Sequence, residues 1–132
     1  MEFILATGQL TRRLRAESAS RELTWSQLAV IARLDRDGPA TSAELARAEA
    51  VKPQSMGTTL ATLEEDGMVE RRPHPTDGRQ ILFALTAKGE SVRRGAVLAS
   101  RAWFEAAFAK LDPAEQEILF AALPLMRRLG ES

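Results

Sequence analysis

A mainly helical α+β domain, with about six helices and one two-stranded hairpin, is the fold class that this sequence predicts. Three observations carry that prediction. Apolar residues recur at spacings of three and four through most of the chain, and capping residues, prolines and glycines cut this pattern into segments of helix length. The period changes to two in only one place, near residues 68–85.

The elements follow in order. Phe3, Ala6, Leu10 and Leu14 form one stripe, predicting a first helix from about residue 2 to 17, with a polar connection from Ser18 to Glu22. Thr24 and Gln27 have capping-box spacing, and the helix they open carries Leu28, Ile31, Ala32 and Leu34 to a stop at Gly38-Pro39. Thr41 and Glu44 repeat that spacing before a short helix from Ala43 to Ala48. Val51 closes a tight turn, and Pro53 suits the first turn of a fourth helix with Met56, Leu60 and Leu63 on one face. Gly67 is placed to end it. Two short helices joined by a tight turn read as a helix-turn-helix.

The hairpin comes next. Met68 to Arg72 and Gln80 to Leu85 read as strands, joined by the turn-rich stretch Pro73 to Arg79, and a hairpin after a helix-turn-helix makes a wing. Thr86 is positioned to cap a long fifth helix from about 87 to 110. Asp112-Pro113-Ala114-Glu115 restarts a sixth, with Ile118, Leu119, Ala122, Leu123, Met126 and Leu129, and Pro124 inside it predicts a kink rather than an end.

Composition narrows the chemistry. The chain has 132 residues, 45% hydrophobic and 27% charged, which fits one globular domain. It has no cysteine and a single histidine, His74, so thiol chemistry, thiolate metal sites and a histidine triad on a rigid scaffold all lack their parts. No constellation of nucleophile, base and orienting group remains, and we read the protein as a non-enzyme without a cofactor. No apolar run approaches the roughly 20 residues needed to span a bilayer. The opening MEFILATGQLTRRL also puts its arginines after its apolar residues, the reverse of a secretory leader, so the expected location is cytoplasmic with no membrane partner.

Eighteen basic residues balance eighteen acidic ones, and all of the basic ones but Lys52, Lys88 and Lys110 are arginine. Zero net charge does not exclude nucleic acid, because a phosphate surface depends on where positive charge sits. A high-GC coding bias gives the same arginine enrichment.

The candidate contacts lie in the helix-turn-helix and wing. Lys52, Gln54, Ser55, Thr58 and Thr59 occupy the start and the polar face of the fourth helix, where a recognition helix meets base edges in the major groove, and Thr41 opens the helix before it. An ordinary polar face of a protein-interaction domain would look similar. Glu64, Glu65 and Asp66 repel phosphate, so only the N-terminal half of that helix is suited to DNA. Arg79 at the wing tip suits a minor groove, with Asp77 holding either the tip or the guanidinium. Arg71 and Arg72 alternate across their strand, so one of them suits a backbone contact. His74 reads as a solvated loop residue and Trp25 as core.

The order of elements, together with Thr41-x-x-Glu44-Leu45-Ala46, Leu63-Glu64-x-x-Gly67-Met68-Val69-Glu70-Arg71, Asp77-x-Arg79 and Leu85-Thr86-x-x-Gly89, resembles the MarR family of winged helix-turn-helix transcriptional regulators over nearly the whole chain. The resemblance implies a two-fold dimer on a pseudo-palindromic double-stranded DNA operator, commonly a repressor released by a small aromatic or anionic effector. It also implies a wing-tip role for Arg79 and Asp77, and an effector pocket near Trp25, with Arg13 or Arg94 as anion partners. Gly78, Thr58 and Gly57 stand where relatives often have an arginine, a basic residue and a hydroxyl, leaving the surface less cationic. The domain divides accordingly: residues 23–86 form the DNA-binding lobe, and 1–22 and 87–132 supply the homodimer helices. Phe3, Ile4, Leu5, Trp103, Phe104, Phe108 and Ile118 to Phe120 give those ends more apolar surface than a small core needs. The alternative is a winged-helix protein-interaction module without DNA binding.

Overall fold

The helix boundaries follow local capping chemistry. A computed structural model describes residues 1–18 and 23–132, so most of the expected polar connection, residues 19–22, lies outside the described residues. The order is α1 (Glu2–Ser18), α2 (Trp25–Asp37), β1 (Ala40–Thr41), α3 (Ser42–Ala48), α4 (Pro53–Glu65), β2 (Val69–Pro73), β3 (Ile81–Leu85), α5 (Ala87–Phe108) and α6 (Pro113–Glu131). Thr24 and Gln27 form a reciprocal capping box on α2, and Asp112 and Glu115 form another on α6. At α3 the box is one-sided: Thr41 Oγ1 accepts from the Glu44 N–H, 3.1 Å away, and the Thr41 N–H donates no return bond to the Glu44 carboxylate. The last helix runs through Pro124 without ending.

The sheet has three strands rather than two, in the order β1-β3-β2, all antiparallel. The extra strand is only two residues long, too short to carry a period, and exists because Ala40 and Thr41 pair with Phe83 and Leu82. Pro73 ends β2 on an edge of the sheet, where its missing N–H leaves no ladder bond unmade.

The α4 end is a Schellman motif: Gly67 at φ 73° lets its own N–H reach the Glu64 carbonyl and the Met68 N–H reach the Leu63 carbonyl. The turn after α3 has the same bonds, from Ala50 to Arg47 and from Val51 to Ala46, but the left-handed residue is Ala50 at φ 53°.

One core holds the central lobe together. Leu28, Val30, Ile31 and Leu34 of α2 meet Leu45 of α3, Met56, Leu60 and Leu63 of α4, and Val69 and Phe83 of the sheet. Each fully buried aliphatic side chain contributes about 1.5–3 kcal/mol. Outside that lobe the picture reverses. Neither α1 nor α6 has a buried residue, and α5 buries only Gly89. The long helix α5 lies against α1 on one side and α2 on another. Among the described residues, no element packs along α6, which is anchored at its start: Gln116 Nε2 donates to the Phe108 and Leu111 carbonyls, and Phe120 meets Phe108 edge-on at 5.1 Å. Phe3, Ile118, Phe120 and Leu129 remain 59–67% exposed. Among the described residues no helix is long and apolar enough to cross a membrane.

Candidate nucleic-acid interface

The helix α4 sorts its residues by face. Burial of Met56, Leu60 and Leu63 turns Gln54, Ser55 and Thr58 outward, beside exposed Lys52 at the N-cap, while Thr59 is half-buried. Thr58 and Thr59 donate their hydroxyls to the Gln54 and Ser55 carbonyls at 3.2 and 3.1 Å. With those protons committed, both threonines offer acceptors, while Lys52 and Gln54 supply the donors. An added methyl at Gly57 would meet nothing, so this stretch of helix is a low, open surface.

The wing tip is built by two side chains. The Asp77 carboxylate accepts from the Arg79 backbone N–H at 3.0 Å and from Gln80 Nε2 at 3.2 Å. Of the two roles open to Asp77, it takes the first: it holds the tip backbone, and the Arg79 guanidinium stays exposed. His74 is the second. Its Nδ1 accepts from the backbone N–H groups of Thr76 and Asp77 at 3.2 and 3.1 Å, so this half-buried ring is part of the turn rather than a solvated bystander.

The two strand arginines diverge. Arg71 opposite Phe83 lays its guanidinium 5.4 Å from that ring centroid and pairs through Nε with Glu64 of α4 at 2.9 Å. Arg72 pairs with Glu70 at 2.9 Å. Glu64 is therefore not a bare repulsive charge, because it is tied to the wing. Between α3 and the wing lies an open cleft of about 680 Å³, lined by Thr41, Arg47, Arg71, Arg79 and Phe83 among others. Thr41 itself is buried and its oxygen caps α3, so it faces this cleft with little surface to offer. Arg47 was missed by the sequence reading, although the burial of Leu45 and Ala46 beside it fixes it on the outer face of α3.

Trp25 is not core: it is 43% exposed, with the Arg15 guanidinium 4.5 Å over its ring. It lines two cavities. One of about 230 Å³ lies behind α4, against Ser55, Met56 and Thr59. The other, of about 260 Å³, lies between α2 and α5 and is bordered by Arg33, Arg36 and Arg93. Arg93 Nε is buried there with no hydrogen-bond acceptor among the described residues, and its ion-pair partner, Asp35, is 3.6 Å away. Neither Arg13 nor Arg94 lines that cavity; Arg13 pairs with Glu17 at 2.7 Å and stacks over Trp103.

A helix-turn-helix, a wing and terminal helices in this order are shared with known proteins. The MarR family model matches residues 23–81, the span of the central lobe from Leu23 to the start of β3. The HTH-type transcriptional regulator MT0903.1 of Mycobacterium tuberculosis (strain CDC 1551 / Oshkosh) is 37% identical over 125 residues, covering 95% of this chain and 87% of its own. The chain belongs to the MarR family. It is thus a MarR-family transcriptional regulator and not an enzyme. The HTH-type transcriptional repressor Rv2887 of M. tuberculosis (strain ATCC 25618 / H37Rv) is 34% identical over 94 residues, 71% of this chain and 68% of its own. The crystal structure of RV1404 from M. tuberculosis superposes with a TM-score of 0.90 at 28% identity, covering 99% of this chain and 91% of that one. That superposition extends the structural likeness beyond the matched lobe, to α1, α5 and α6.

Proposed function

We propose that this MarR regulator is a cytoplasmic homodimeric repressor that binds a pseudo-palindromic double-stranded DNA operator and is released by a small aromatic or anionic effector. The observation that carries the reading is the outward face of α4: Lys52, Gln54, Ser55 and Thr58 are exposed opposite a buried apolar face, beside a wing whose tip leaves the Arg79 side chain exposed. Gln54 suits a bidentate contact to adenine, and Arg79 suits a narrow minor groove.

Dimerisation is supported by the apolar surface of α1, α5 and α6, which this chain alone leaves uncovered. A two-fold pair made through those helices would carry two reading helices about 34 Å apart, one turn of duplex. Residues 23–86 would then be the reading lobe, with 1–22 and 87–132 as the pairing helices. For the effector, the cavity between α2 and α5 offers the face of Trp25 and the guanidinium of Arg93, which is only loosely paired with Asp35 at 3.6 Å, a fit for an aromatic acid. Trp25 also backs α4, so occupancy there would bias the pose of the reading helix.

A mobility-shift titration on the protein's own upstream DNA, against a scrambled duplex, tests the reading together with light scattering for mass. The expected result is a dimer that prefers its own duplex, with Arg79→Ala weakening binding and Phe120→Glu giving a folded monomer. A monomeric wild type without duplex preference, and an unchanged Arg79→Ala isotherm, would favour the protein-interaction alternative.

A further inference from the structure

The three arginines of the cleft between α3 and the wing come from three elements: Arg47 from α3, Arg71 from β2 and Arg79 from the wing tip. Only one carboxylate, Glu44, shares their lining. Among the described residues neither Arg47 nor Arg79 has an ion-pair partner, while Arg71 is held flat against Phe83 by Glu64, leaving the rest of its fork free. Uncompensated like charges that converge on one open cleft raise its positive potential and favour an anion. At about 680 Å³ the cleft is much larger than one phosphate, so it suits a chain carrying anions in series. Ile81, 44% exposed on its lining, suits the sugar edges of such a chain.

We propose that this cleft seats one sugar-phosphate strand of the duplex and that Arg47 is a phosphate contact, a role no spacing in the sequence announced. The inference rests on the DNA-binding reading above and adds a residue outside the reading helix and the wing. A phosphate contact carries no base information, so its loss weakens every duplex alike.

The test is fluorescence anisotropy of Arg47→Gln and of Arg79→Gln on the protein's own upstream duplex and a scrambled duplex, over a series of salt concentrations. Arg47 is exposed, and circular dichroism checks that the variant folds. For Arg47→Gln we expect a loss of roughly three- to tenfold on both duplexes, and a salt slope shallower by about 0.9 per engaged protomer. An Arg47→Gln isotherm equal to wild type, while Arg79→Gln is impaired, overturns the role of Arg47 and leaves DNA binding standing. A loss confined to the protein's own duplex overturns the phosphate role in favour of base reading. A poly-glutamate peptide competing as well as duplex at equal charge overturns the assignment of the cleft to nucleic acid. Wild type that binds no duplex overturns the proposed function, and this inference with it.

Discussion

A methyl group at Gly89 would stand 2.2 Å from the Met68 carbonyl oxygen, inside any permissible contact. The first turn of α5 is pressed flat onto the corner where α4 ends and β2 begins. The same carbonyl accepts from the Thr86 N–H at 3.1 Å, Thr86 Oγ1 donates to the Gly67 carbonyl, and Lys88 Nζ donates to the Asp66 carbonyl at 2.8 Å. This corner is the joint through which the long helix holds the lobe. A backbone oxygen cannot rotate aside, so Gly89→Ala is expected to cost about 3 kcal/mol, the upper end for overpacking. Gly57→Ala, where the methyl meets nothing, should gain about 1 kcal/mol from helix propensity alone. Urea titrations of the two variants check the pair, and similar midpoints for both would refute the crowding at Gly89.

Ala50 and Gly67 occupy equivalent left-handed positions after α3 and α4, but only one of them is a glycine. A Cβ at positive φ costs roughly 1–2 kcal/mol, while glycine's larger entropy in the unfolded chain returns part of that. We therefore expect Ala50→Gly to stabilise the protein by about 0.5–1 kcal/mol, read as a rise in melting temperature of a few degrees. A lower melting temperature would mean that this turn stores no strain.

What could be read from the sequence was what depends on neighbours in the chain. The boxes at Thr24 and Asp112, the Thr86 cap and the Gly67 stop are each decided within four residues, and so was the division of α4 into a Met56-Leu60-Leu63 face and a polar one. The strand Ala40–Thr41 was not legible, because two residues become a strand only by pairing with Phe83 and Leu82 some forty positions on. Trp25, read as core, was misjudged for a related reason: nothing in its neighbourhood in the chain shows that its ring meets Arg15 of α1 and two cavities instead. Arg47 could be put on the outer face of α3 from the pattern alone, but its meeting with Arg71 and Arg79 needed the tertiary approach of helix and wing.

The pair Glu64–Arg71 sets a carboxylate against DNA phosphate for the same guanidinium. Both side chains are partly exposed, at 35% and 54%, so the pair itself is worth little to the fold. Glu64→Gln is expected to leave stability within about 0.5 kcal/mol, while raising duplex affinity several-fold and steepening the salt slope by about 0.9 per protomer. Glu65→Gln, one position on and without an ion pair among the described residues, controls for the change in net charge. Equal effects of the two substitutions would show that Arg71 was already free to bind.

The wing tip depends on His74 as an acceptor. Its Nδ1 holds two adjacent backbone N–H groups, and Asp77, one of the residues so held, in turn fixes the Arg79 backbone. Removing the ring should therefore loosen the presentation of Arg79 without touching the core, which lies elsewhere. For His74→Ala we expect faster amide exchange at Thr76 and Asp77, a several-fold loss of duplex affinity and an unchanged urea midpoint. Asparagine has a short side-chain acceptor that serves turns of this kind, so His74→Asn should recover much of both the protection and the affinity. Exchange rates at Thr76 and Asp77 that do not respond to His74→Ala would mean that Asp77 alone orders the tip.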